Sequence, residues 1–396
     1  MKKAIPMIVA AMALTALADT PFEVKNVTAH QRYPWNGKVD IDFRIDCADA
    51  AADFDVTVEC TDHVGNTNVT MTTIRENDAG AAATSFRLGA GQHRLVWNAA
   101  ADCPNVKLAS ISFAVFAKKR GPEDEADYLV IDLSGGPDAA SYPVSYRASV
   151  PAGGWTDEYK TTKLVMRKCP AGTFTNTNWG GEVTLTKPFF AGVFEVTQKQ
   201  WLLVMGSWPS SSPYSDCGSG DAYPAYFVSY EHIRGSSAGS QWPASSAVDA
   251  SSFIGKLRAK TGLNELDLPT EAQWEQACRA GTTTTYNTGD GEPALAATGW
   301  YSDNSGNTTH PVGQKTANAW GLYDMHGNVW EWTLDWYGKS FSGTDPKGAS
   351  SGSNRIRRGG SWNGVADYCT SSIRSHGSSP SYAFYGLGFR LFRTCP

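Results

Sequence analysis

Two stretches limit what the second half of this chain can fold into: "SWPSSSPYSDCGSGDAYP" at 207–224 and "GSSAGSQWPASSA" at 235–247. Serine, glycine and proline at that density exclude helix interiors and central strands. Loops of such length inside a compact domain are either functional or tied down by the rest of the fold. A domain with so few regular elements must satisfy its buried backbone groups by other means. The same half of the chain supplies them. Arginines in "RRGG" (357–360) and "GFR" (388–390) can donate to carbonyls, tryptophans bring large buried area, and glycines allow close backbone approach. On this reading Gly359, Gly360, Trp362, Gly388 and Arg390 are core architecture.

Three helices are expected between the loops. One starts at Thr197, has Gln200 three residues on and stops at Gly206. A second, within 248–262, ends at Gly262, and a third has Thr270 and Gln273 in capping-box spacing and stops at Gly281.

Residues 20–118 have a different texture. "KVDIDFRID", "DFDVTVEC", "HRLVWNA" and "SISFAVFAK" place an apolar residue at every second position, the period of half-buried strands, with turn formers between them. Several short strands of this kind predict an all-β sandwich. His30, His63 and His93 are scattered here and read as surface or turn residues. Residues 119–159 read as a charged linker followed by a lead-in strand in "YLVIDLSGG".

Residues 1–18, "MKKAIPMIVAAMALTALA", put two lysines before a short apolar run that ends in a small-x-small pattern. That is the form of a secretory signal peptide, too short to span a bilayer. The expected location is therefore secreted, periplasmic or cell-surface. An oxidising compartment permits disulfides among the eight cysteines, but pairing cannot be deduced from spacing. No C-x-x-C occurs. The net charge of -5 and the absence of a basic run argue against nucleic acid as a partner, and no later stretch is apolar enough to cross a membrane.

Five phrases appear in order after residue 190: "FEVTQKQW" (194–201), "LPTEAQWEQACRAG" (268–281), "THPVGQKTANAWGLYDMHGNVWEW" (309–332), "RRGGSWN" (357–363) and "GFRLFRT" (388–394). Together they resemble the formylglycine-generating, sulfatase-modifying enzyme family, in a bacterial form. The resemblance implies an α+β, C-type-lectin-like fold with little regular secondary structure over 160–396, preceded by the sandwich. It also implies a structural calcium held by the side chains of Asp324 and Glu331 and the carbonyls of Gly327 and Val329. A second site would fall near Asp303 and Asn304. A carboxylate at each end of a turn with carbonyls between them can supply half of a calcium shell. The other reading of Glu331 is a carboxylate paired with a core arginine, with no metal.

In the family's oxidases two cysteines, five residues apart, follow the Gly-Gly-Ser-Trp phrase and hold copper. Two near-linear thiolates suit Cu(I). Here the second position is Cys369 and the first is Gly364, which has no ligand atom. Copper is therefore not expected, and Cys369 reads as a buried thiol or half of a disulfide. Cys217, in a loop, is the candidate for a substitute thiol. Ser361 stands where the oxidases line their oxygen pocket, so Cys369 and Ser361 are the candidate catalytic residues if any chemistry survives. His310 and His326 lie within family phrases, with His326 expected at the surface.

The functional expectation is an exported, calcium-stabilised binding or accessory module for a peptide, protein or glycan, without the family's oxidase activity. The alternative is a metal-dependent oxidoreductase of the formylglycine-generating type, acting on exported sulfatases or other proteins.

Overall fold

The computed structural model describes residues 7–13, 22–33, 36–63, 67–104, 110–176, 181–209, 211–338 and 341–395. The chain divides into two compact units, 1–124 and 125–396.

The first unit is a pair of sheets. Phe22–Gln31, Lys38–Cys47 and Gly91–Asn98 form one antiparallel sheet. Ile111–Lys119, Asp53–Asp62, Thr67–Val69 and Phe86–Gly89 belong to the other, in which Met7–Ala13 pairs parallel with Ile111–Lys119. Strict alternation decides which side chains face inward: Ile111, Phe113, Val115 and Ala117 are buried on one strand, with a more exposed residue after each of the first three. They meet Ile41, Phe43, Leu95 and Trp97 of the facing sheet in one apolar core. The expected sandwich is therefore present. His30 and His63 are exposed and His93 is half-buried. The thiols of Cys60 and Cys103 contribute to the same core.

The second unit is held by a six-stranded antiparallel sheet in the order Val144–Arg147, Tyr128–Asp132, Lys163–Cys169, Phe189–Gly192, Phe392–Thr394 and Leu266–Asp267. Pairing of Phe189 with Thr394 brings the end of the chain back beside its own first strands. Residues in the stretch read as linker and lead-in strand thus supply two strands, with Leu129 and Ile131 fully buried. A smaller sheet, Arg355–Arg358, Trp330–Trp336 and Leu387–Gly388, carries the family phrases.

The helices follow their capping chemistry. Gln198–Met205 and Glu271–Arg279 each begin with a complete capping box, from Thr197 with Gln200 and from Thr270 with Gln273. Phe253–Thr261 ends at Gly262 in the left-handed conformation. The third helix stops one residue earlier than expected, at Ala280, which adopts φ 46°. Trp201 stacks on Phe253 at 5.2 Å between ring centres, and Phe389 meets Phe253 edge-on at 5.1 Å. Burial of each phenylalanine contributes roughly 1.5–3 kcal/mol.

Arginines anchor the long loops. Arg355 donates to the carbonyls of Leu334 (2.6 Å) and Ser240 (2.8 Å), Arg258 to that of Ser246 (2.9 Å), and Arg234 to that of Gly239. Buried acids neutralise several of them: Asp267 faces Arg234 and Arg258, Glu271 faces Arg374, and Glu275 faces Arg279 and Arg358. The backbone of 235–247 is thus satisfied by side chains rather than by a sheet ladder.

Candidate functional site

The phrase 321–332 forms a left-handed turn entering the central strand of the small sheet. Asp324 (φ 55°) and Asn328 (φ 56°) adopt a conformation that aspartate and asparagine tolerate better than most residues. Gly327 (φ +80°) has no alternative: a Cβ there would stand 1.9 Å from the Trp300 carbonyl oxygen.

Four buried charged residues meet behind this turn. Glu331 accepts from Arg390 Nη2 at 2.8 Å and from Trp274 Nε1 at 2.7 Å. Arg390 also donates to the carbonyls of Gly192 and Tyr323, both at 2.8 Å. Glu195 accepts from Asn328 Nδ2 at 2.6 Å and from the Val329 amide at 3.1 Å. Burial raises its pKa well above the ordinary range, and the charges of Asp324 and Glu331 add to that. Asp324 accepts from the Gly313 amide through Oδ2 at 2.7 Å, while its Oδ1 is buried with no hydrogen-bond partner among the described residues. Burial pushes Asp324 up to about 6. Three carboxylates therefore influence one another around a single guanidinium.

The structure thus brings Asp324 and Glu331 together, with Gly327 and Val329 on the turn between them. The orphan oxygen of Asp324 fits a cation. Glu331 is already committed to Arg390 and Trp274, so the arginine pairing expected as the other reading of this residue is formed. Among the described residues no group of three His, Cys, Asp or Glu side chains is placed to hold a metal ion. Asp303 is exposed and accepts from the Ser302 hydroxyl at 2.7 Å. Asn304 locks its own turn, accepting from the Tyr301 amide at 2.9 Å and donating to the Gly299 carbonyl at 3.0 Å.

Cys369 closes a short 3-10 turn, Ala366–Cys369, and is fully buried with Tyr286, Leu295 and Tyr301. Gly360 walls it off: at φ +80°, a Cβ there would lie 2.4 Å from Cys369 Sγ. Burial raises the thiol to about 12, against a smaller opposing effect from the Ser361 backbone amide. Ser361 and Cys369 are thus neighbours, but the Ser361 hydroxyl donates elsewhere, to Asn363 Oδ1 at 2.8 Å. Gly364 completes a turn by donating its amide to the Ser361 carbonyl at 2.9 Å.

Cys217 is half-buried and pinned through its carbonyl, which accepts from Thr309 Oγ1 at 2.7 Å. Cys278 Sγ lies 3.6 Å from His326 Nε2, whereas the Cys369 carbonyl meets His326 Nδ1 at 2.6 Å. The Asn287 amide donates to Nε2, so Nδ1 carries the proton that bonds Cys369. The expectation that His326 lies at the surface is corrected here: it is fully buried, and its pKa is lowered to about 4 by that burial. His310 stacks on Trp300 with ring centres 3.6 Å apart, and Lys315 Nζ lies 3.9 Å from the same ring centre.

Sequence reasoning did not single out Glu195 or Arg357. Glu195 had a signal, since it is the lone charge in the apolar run "FFAGVFEV". Arg357 had none, because nothing local distinguishes it from the paired Arg358.

A comparison with family profiles matches residues 158–395 to the sulfatase-modifying factor enzyme 1-like domain. The chain belongs to this family, and the lectin-like α+β fold expected from the resemblance is the one observed. The chain is 34% identical over 144 residues to the formylglycine-generating enzyme of Mus musculus, a match covering 31% of this chain and 38% of that protein. It is 30% identical over 212 residues to chaperone protein LppX of Paenibacillus barcinonensis, covering 46% and 71%. Among solved structures, PvdO from Pseudomonas aeruginosa matches 58% of this chain and 94% of its own at 26% identity, with a TM-score of 0.48. Three of the most similar curated relatives are covered over only 20–38% of their length.

Proposed function

We propose that this chain is a binding or accessory member of its family, without the family's oxidase chemistry. The observation that carries the reading is the state of Cys369: a neutral, fully buried thiol sealed behind Gly360, with glycine at position 364 where a second sulfur would be needed. A nucleophilic or metal-binding sulfur has to be a thiolate, and burial works against that here. The secreted or cell-surface location expected from residues 1–18 is part of the proposal.

Calcium belongs to the same reading as a structural ion. Asp324 Oδ1 and the carbonyls of Gly327 and Val329 would hold it, and it would favour the charged form of Asp324 that burial otherwise opposes. Glu331 would join only by giving up a hydrogen bond.

Aerobic incubation of the purified chain with copper and a Cys-x-Pro-x-Arg peptide tests the reading. The expected result is unchanged peptide mass. An aldehyde product that disappears in a Cys369→Ser variant would establish the oxidase instead.

A further inference from the structure

Among the described residues, one arginine of the small sheet, Arg357, has neither a carboxylate partner nor a set of carbonyls to hold its guanidinium. Its neighbours are all engaged: Arg358 with Glu275, Arg374 with Glu271, Arg390 with Glu331 and Arg355 with backbone carbonyls. Arg357 donates Nε to the Ser375 hydroxyl at 2.9 Å, and no ion pair to it is formed among the described residues. Its guanidinium carbon lies 5.3 Å from the ring centres of both Trp330 and Phe384.

The surrounding side chains are aromatic: Trp330 and Trp362 are buried, Phe384 is half-buried, and the tyrosines beyond them are open. Trp330 meets Tyr368 at 6.4 Å, Phe384 meets Tyr385 at 5.7 Å, and Tyr385 meets Trp362 at 5.6 Å. Tyr368 is 53% exposed and Tyr385 38%. An exposed aromatic patch of this kind marks a binding surface.

We propose that this face, on Arg357, Tyr368, Phe384 and Tyr385, with Trp330 buried beneath it, binds an acidic glycan through a hexuronate unit. The proposal rests on the binding-module reading and names its ligand class. Two features favour this occupant. A planar guanidinium whose Nη atoms make no hydrogen bond among the described residues matches a carboxylate in a two-point contact, and a partly buried cation without a counter-ion gains from one. The rings at the rim are tyrosines, with Val365 as the exposed aliphatic neighbour in sequence. A tyrosine offers a flat apolar face and a hydroxyl edge, complementary to a sugar's C–H face and hydroxyl rim. Burial lowers the Arg357 pKa, in keeping with a cation short of a partner.

Calorimetric titration of the full chain with a tetra-hexuronate, its neutral methyl ester and tetra-glutamate tests the assignment. The acid sugar should bind saturably, at least about tenfold more tightly than the ester or the peptide, and more weakly in about 0.5 M salt. Arg357→Gln should reduce the affinity about tenfold or more, and Tyr368→Ala and Tyr385→Ala roughly three- to tenfold each. Both tyrosines are exposed, so their variants decide the matter even if Arg357→Gln fails to fold. No saturable binding, equal binding of acid and ester, tighter binding of tetra-glutamate, or unaltered affinity in both tyrosine variants would overturn the assignment. Failure of sugar binding without aldehyde formation removes only the ligand class, whereas aldehyde formation removes the underlying reading.

Discussion

Arg390 and Glu331 form a fully buried ion pair, 2.8 Å from Nη2 to Oε1, that ties the segment leading into the last strand to the small sheet. Arg390→Met leaves Glu331 charged and short of its partner while also orphaning the Gly192 and Tyr323 carbonyls. The expected loss is about 3–5 kcal/mol, measured by urea unfolding. A loss below about 1 kcal/mol would mean that the pair is broken in solution.

Gly360 and Gly364 are separated by four positions and respond oppositely to a side chain. Gly360→Ala introduces strain at φ +80° and a clash with Cys369 Sγ, with an expected cost of roughly 1–3 kcal/mol or more. Gly364→Cys places its Cβ 3.3 Å from the Ser361 carbonyl oxygen without a left-handed φ. That variant should stay within about 1 kcal/mol of the parent in thermal unfolding.

The orphan oxygen of Asp324 makes calcium measurable. The purified chain should contain calcium by elemental analysis, and chelation should lower its unfolding midpoint. Asp324→Ala should remove the difference between chelated and calcium-loaded protein. Identical midpoints for the parent with and without chelator would eliminate the ion from the proposal.

Asp335 is pushed up to about 7 by burial, with the Glu271 charge adding to the effect and the Glu271 amide, Arg374 and Arg355 opposing it. Its folded pKa lies above its unfolded value, so the folded state holds the extra proton. Its contribution to stability is present below about pH 4 and is lost as pH rises to about 7. Buried His326, lowered to about 4, works in the opposite sense below its ordinary value. Asp335→Asn isolates the first effect: the variant's stability should fall less than the parent's between about pH 4 and 7. Parallel pH profiles would contradict the assignment.

Local chemistry was legible in the sequence. The capping boxes at Thr197 and Thr270, the terminating Gly262 and the alternation in Ile111–Lys119 act over a few residues, and the structure repeats them with an offset of one residue at Ala280. The family phrases marked Asp324, Glu331 and Ser361, and the resemblance marked Cys369 by its spacing after the Gly-Gly-Ser-Trp phrase. They could not say which way Glu331 is committed, because its partners lie 57 and 59 residues away.

The sequence by itself determined the sandwich, the capped helices, the family and the missing sulfur at 364, since each is a matter of residue type, short period or ordered phrases. Only the tertiary structure decided that His326 is buried, that Glu195 joins Asp324 and Glu331 around one guanidinium, and that Arg357 is left between Trp330 and Phe384. The reason is physical: burial and pairing of charge depend on which distant segments close over a side chain, as Glu195 and Asn328 do across 133 positions.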